Sequence, residues 1–259
     1  MMKKVTKSEL LKVQNQDHFI SGIHNYCDKW CERCPKTAFC AVFAMEDSFK
    51  VNESDKKDLK ESLNYMSNMF EIVFEMIQET MEKHNIVITD EDMEVSKIAI
   101  AAESNFTDNH ALTKIAKDYF MQTNAILENN HEFFQMEIDK TIALFANEKQ
   151  TELLSLKDSF EVIKWYCTMI PAKISRGVGN IFDNDDLEDD WAIDERYGTF
   201  KVALISIKRS MIAWAKILEI FPEKEDEILV VLILLEKMLK YVTEICPEAA
   251  NHKRIGFEK

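Results

Sequence analysis

Glycine and proline are scarce in this chain, 5 and 4 residues among 259, far below the roughly 7% and 5% of ordinary domains. Strand-and-turn folds need more punctuation than that, so long uninterrupted helices are expected. Basic charge is also in deficit: Lys and Arg total 32 against 46 Asp and Glu, a net charge of −14. Affinity for nucleic acid or anionic lipid comes from cations that release counterions, so neither partner is expected. No hydrophobic stretch approaches the about 20 residues that a membrane helix requires. The longest apolar run, Ile228 to Leu235, stops at Glu236 and Lys237. Met1-Met2-Lys3-Lys4 is followed by Lys7, Ser8, Glu9, Lys12 and Gln14 rather than by the apolar core of a signal peptide. The chain is therefore read as soluble and cytoplasmic. Phosphate-cradling glycine loops, a Gly-x-Ser-x-Gly elbow and a Cys–His nucleophile pair are all missing, so no catalytic residue is assigned.

What is present is helical periodicity. Leu59, Leu63, Met66, Phe70, Val73, Ile77 and Met81 recur at steps of three and four, as the buried stripe of a bundle helix does. Thr89 with Asp92 marks a helix start, and Val95, Ile98 and Ala102 give that helix a short inner face. A long helix is expected from near Asp108 to near Glu148 with Leu127, Phe134, Ile138 and Phe145 on one side. Leu153 to Ile181 forms another seam, kinked at Pro171 and weakened at its end by Gly177 and Gly179. An acidic loop, 183–190, leads to the stripe Tyr197, Phe200, Leu204, Ile207, Met211, Trp214, Leu218 and Phe221, which Pro222 stops. Ile228, Val231, Leu235, Met238, Val242 and Ile245 complete the set. The fold class is thus all-α: an antiparallel bundle of about six long helices, residues 49–259, carrying a short cysteine-rich helical cap, residues 1–48. The cap is expected to hold a short helix from near Ser8 and another entered at Pro35.

Chemistry concentrates in that cap. Cys27, Cys31, Cys34 and Cys40 are four of the six cysteines, spaced three, two and five residues apart. In a reducing compartment such clustering points to metal ligands or redox thiols rather than structural disulfides. The three-and-two spacing lets one loop wrap three corners of an iron-sulfur cube, with Cys40 near enough to supply the fourth ligand. Zinc is the alternative, with His24 as a substitute ligand, although structural zinc usually draws on two separated knuckles. Arg33 and Lys36 could donate hydrogen bonds to the sulfurs and Trp30 could shield them. Radical enzymes that cleave S-adenosylmethionine share the spacing, but on repeated strand-helix units that this chain lacks. Cys167 and Cys246 fall on helical seams and are read as small core residues.

Other clusters have plainer readings. Glu128 and His131 stand one turn apart, half of a di-iron ligand set; no second such pair exists, and Glu75 and Glu161 could add only lone carboxylates. His131, between Leu127 and Phe134, is read as a core or boundary histidine. Glu161, Trp165, Lys173 and Arg176 line one helix face and would suit a pocket for a small anion, but ion pairing explains them equally well. Lys173, Arg176, Lys208 and Arg209 are read as solvated or ion-paired. Met66, Met69, Met76 and Met81 are read as core filling, and the acidic loop, which lacks the calcium-loop pattern, as a solvated segment.

Cys27-Asp-Lys-Trp-Cys-Glu-Arg-Cys, Trp165-Tyr166, Lys201-Val-Ala-Leu-Ile and Arg254-Ile-Gly-Phe257 together resemble a group of uncharacterised bacterial all-helical proteins with an N-terminal cysteine segment. The likeness spans most of the chain and implies that segment and bundle form one unit; it implies no substrate, cofactor or catalytic residue. The functional expectation rests on the cysteines: a metal-binding protein, preferably with a [4Fe-4S] cluster, serving electron transfer or redox or iron sensing with a protein or electron partner the sequence does not identify. The alternatives are a zinc-stapled interaction scaffold, or a bundle enzyme with Glu128, His131, Glu161 and Arg176 around a small-ligand or di-iron pocket.

Overall fold

The computed structural model describes residues 5–14, 16–49, 59–145, 150–183 and 190–258, and among these residues it is all-α with short 3-10 turns and no strand. Two compact units divide the chain, Met1–Ala99 with Arg254–Lys259, and Ile100–Lys253. The expected acidic loop lies, but for its end residues, outside the described part, as do the side chains of Leu59, Phe145 and Leu153. No helix of the described residues is long and apolar enough to cross a membrane.

The first unit contains α1 (Lys7–Gln14), α2 (Ala41–Phe49), α3 (Leu59–His84) and the first half of α4 (Asp90–Asn109). Thr6 and Glu9 start α1 with a reciprocal capping box: the Thr6 N–H donates to Glu9 Oε2 at 3.1 Å and the Glu9 N–H to Thr6 Oγ1 at 3.3 Å. Val5, Leu10 and Ile72 form a small core, with Met45, Met69 and Met76 packed against it. This corrects the expected inner face of α3. Leu63, Met66, Phe70, Val73 and Ile77 are 46–69% exposed, while Ile72, flanked by Met69 and Met76, turns inward. The helix is apolar on two sides, and periodicity favours the longer stripe although α1 and α2 cover the shorter one. Met66 is accordingly surface, not core filling.

Thr89 does start α4, donating from its backbone N–H to Asp92 Oδ2 at 2.8 Å and accepting the Asp92 N–H at 3.2 Å. Those hydrogen bonds hold the Asp92 carboxyl below its usual pKa. No residue of α4 is buried, so the Val95–Ile98–Ala102 face expected to pack inward is exposed.

The second unit is built on α5 (Ala111–Asn129), α7 (Gln150–Asp183), α8 (Asp190–Ile220) and α9 (Glu225–Ile245), with α6 (His131–Phe145) against α7. The pairing of α7 with α8 is the most extensive. The helix expected from near Asp108 does start there, where His110 caps α5 with its Nδ1 accepting the Leu112 N–H at 3.2 Å. Instead of running on to near Glu148 it is broken at Asn130, whose buried amide donates to the Ile126 carbonyl at 2.9 Å and to Glu227 Oε2 at 2.7 Å, so its side chain occupies an acceptor at the end of α5 and ties that end to α9.

The remaining seams pack as expected. Ile163, Cys167, Ile170 and Ile174 on α7, Phe200, Leu204, Ile207 and Trp214 on α8, and Ile228, Val231, Leu235, Met238 and Val242 on α9 are all buried, as is Cys246. The α7 helix runs through Pro171 to Asp183, past both glycines. Gly177 is there for close approach: a Cβ at this position would stand 2.6 Å from the Phe200 ring. Lys173 is buried rather than solvated.

Candidate metal centre

Between α1 and α2 the chain runs through a non-helical segment with 3-10 turns at Cys31–Arg33 and Thr37–Phe39. Asp28 accepts the Trp30 N–H at 3.4 Å, and Lys29 adopts a left-handed φ of 56°. An L side chain rarely takes that conformation, and here it reverses the chain between Cys27 and Cys31. The Ile20 N–H donates to the Phe39 carbonyl at 3.0 Å, tying the start of the segment to its second turn. Ile23 and Tyr26 are buried beneath it.

Residues 254–258 belong to the same unit and complete its packing. Gly256 has a φ of +79°, and a Cβ there would lie 2.7 Å from Ile23 Cδ1, so only glycine lets the tail lie against the loop. Arg254 pairs with Glu258 at 2.8 Å and covers the Phe257 ring at 4.7 Å.

The structure brings all four sequence-identified cysteines to one small cavity of about 20 Å³, whose wall also includes His24, Phe43 and Phe257. That space suits about one water molecule. None of the four forms a disulfide and all are half-buried. The Cys31 thiol is pushed up to about 11, first by burial and then by the charges of Glu46, Cys27, Cys40 and Cys34. Burial and neighbouring negative charge thus disfavour a bare Cys31 thiolate, and a cation among the sulfurs would offset both. Among the described residues no three His, Cys, Asp or Glu side chains stand in a ready-made metal-holding arrangement.

The surroundings suit thiolates. Backbone N–H groups of Lys36 and Phe43 approach Cys34 Sγ at 3.4 Å and Cys40 Sγ at 3.5 Å, and bonds that sulfur accepts stabilise its anionic form. The Cys27 thiol instead donates to the His24 carbonyl at 3.3 Å, a bond that metal binding would replace. At Cys34 the donor is the Lys36 backbone, not the ammonium group that sequence suggests. Arg33 lies over the Trp30 ring at 4.0 Å, and both Trp30 and Lys36 line the cavity. Burial, with the nearby Lys29 charge, lowers the His24 pKa and favours the neutral imidazole that metals bind. Sequence did not assign Phe43 or Phe257 to the site: Phe257 is remote in the chain, and only the glycine before it signals a turn.

The second set of residues is divided. His131 and Glu161 line a cavity of about 240 Å³ in the second unit, floored by Phe134 and Phe160 and edged by Lys157 and Lys164. His131 is exposed rather than core. Glu128 ends α5 and is exposed, while Arg176 pairs with Glu195, its Nε donating to Oε1 at 3.0 Å. Glu75 lies in the first unit on a cleft with Lys7, Lys12 and Glu79. Compared with known proteins, the chain matches no family model, no curated protein and no solved structure.

Proposed function

We propose that the first unit is a thiolate metal centre in which Cys27, Cys31, Cys34 and Cys40 hold a [4Fe-4S] cluster for electron transfer or for redox or iron sensing. The carrying observation is that four cysteines within 14 residues wall one cavity, unpaired by disulfides and met by backbone N–H donors. Sulfur is the donor that iron-sulfur clusters take, and when bound the cluster supplies one-electron chemistry. The chain's own groups set the conditions. Trp30, Phe43 and Phe257 limit water, and the Lys36 and Phe43 N–H groups stabilise charge on Cys34 and Cys40. Cys31 must give up its proton as the ligand set closes.

A structural zinc site is the second reading, and the size of the cavity favours it. Room for about one water suits a single ion, which would draw the sulfurs inward, whereas a cube must spread the loop. The two readings separate in protein purified without oxygen or chelator. Iron with acid-labile sulfide and broad visible absorption supports the cluster; one zinc per chain and no colour supports the scaffold. Cys31→Ser should remove most of the metal in either case. Anaerobic protein carrying neither metal above trace would end both readings.

A further inference from the structure

The cavity of the second unit is lined by α6 and α7 in one and the same pattern. His131, Phe134, Gln135 and Ile138 on α6, and Lys157, Phe160, Glu161 and Lys164 on α7, each take positions i, i+3, i+4 and i+7, which share one helix face. Phenylalanine holds the second position of both sets, and the two rings meet at the floor with centroids 5.0 Å apart and planes tilted by 57°. Leu127 of α5 and Ile138 extend the apolar wall. Protein interiors leave few voids larger than a water molecule, so about 240 Å³ beside packed helices is room for a guest. An apolar cavity of about 150 Å³ accepts benzene. This one therefore holds a single aromatic ring with a short arm.

The rim sets the charge of that arm. Lys157 and Lys164 stand two turns apart on α7, about 10 Å along its axis, and among the described residues neither ammonium group has a hydrogen-bond or ion-pair partner. His131 and Gln135 add N–H donors from α6. Glu161 is the single carboxylate on the wall and is held by an interaction of its own. Two ammonium groups and one carboxylate leave one net positive charge, in a chain whose overall charge is −14. That balance matches a monoanion and leaves a phosphate dianion with charge in excess.

We propose that this cavity binds a small aromatic monocarboxylate, its ring against Phe134 and Phe160 and its carboxylate at the mouth with Lys157 and Lys164. A ring seated there gains edge or offset contacts with both phenylalanines, and the bonds from lysine to carboxylate are charge-assisted. An uncharged ring forgoes the second contribution, and acetate forgoes the first. No residue of the first unit takes part, so the site is independent of the metal centre.

The test is calorimetric titration of the full chain with 3-phenylpropionate. One molecule should bind per chain with a dissociation constant below about 1 mM. 3-Phenylpropionamide, which keeps the ring and lacks the charge, should bind about 10-fold more weakly or worse, and acetate more weakly still. Lys157→Met/Lys164→Met, at two exposed positions, should weaken 3-phenylpropionate by about 10-fold or more and leave the amide unchanged. Lys216→Met, which does not line the cavity, should alter neither. A constant for 3-phenylpropionate above about 1 mM overturns the proposal, as does equal affinity for acid and amide, or an affinity indifferent to Lys157 and Lys164 or equally lowered by Lys216→Met.

Discussion

The two units hold their chains together by opposite means. In Ile100–Lys253, facing seams bury Trp214, Tyr119, Tyr166 and Phe200 completely, together with aliphatic residues on every core helix. In the cysteine-bearing unit only Val5, Leu10, Ile23, Tyr26 and Ile72 are buried hydrophobics among the described residues. Its remaining order comes from local devices: the Thr6–Glu9 box, the Asp28 turn, the left-handed Lys29 and the Gly256 contact. A core so small supplies little net stability, and natural domains in that position add a staple such as a metal. Four cysteines in the poorly cored unit fit the proposed metal centre, because the free energy of binding a metal there would also be folding free energy.

The sharpest way to break the comparison is to remove one buried side chain from each unit. Trp214→Ala should cost about 3–5 kcal/mol and melt α5, α7, α8 and α9 together, because that core is continuous. Ile72→Ala should cost about 2 kcal/mol, near the lower end for such truncations, and loosen α1 and α3 alone. Amide hydrogen exchange followed by unit checks both. If Ile72→Ala lowers protection across α7 and α8 as strongly as Trp214→Ala does, the two units are not energetically distinct.

That difference also explains what could be read beforehand. The seams of α7, α8 and α9 were legible because the residues at steps of three and four are the ones that pack, although α9 is also apolar on its outer side at Leu229, Val230 and Ile233. The α3 helix has two apolar sides, and spacing cannot say which one a neighbour covers; that choice belongs to the packing of α1 and α2. The break at Asn130 was illegible for a related reason, since its amide is held partly by Glu227, 97 residues away. At the cysteine site the ligands could be read because thiol spacing is local. Phe257 could not, because its place in the cavity wall depends on a tail that returns from the far end of the chain.

A smaller change probes how tightly the second unit is packed. Gly177→Ala should destabilise it by about 1–3 kcal/mol, because the added methyl meets the Phe200 ring at 2.6 Å within a closed core. Trimming that ring in Gly177→Ala/Phe200→Leu should recover part of the loss, which thermal unfolding of the double variant and of Gly177→Ala and Phe200→Leu alone would show. Without recovery, the clash with Phe200 is not the cause. The first unit, which has no comparable helix-to-helix closure, should be unaffected by either substitution.

The least costly change acts through pH. His110 caps α5 with an unprotonated Nδ1, and burial lowers its pKa below the unfolded value of 6.5. The neutral ring is therefore favoured in the folded state, so the contribution of His110 is complete above pH 6.5. As pH falls through 6.5 the unfolded chain takes up its proton first, and the stability of the second unit declines until the folded imidazole is protonated too. His110→Ala should cost about 1 kcal/mol at pH 7.5 through the lost cap and should flatten the decline below pH 6.5. His110→Asn, which caps without titrating in this range, should keep the stability at pH 7.5 and also flatten the decline. Denaturant midpoints of the three proteins between pH 5 and 8 decide it: an unchanged slope in both variants would assign the acid sensitivity to a group other than His110.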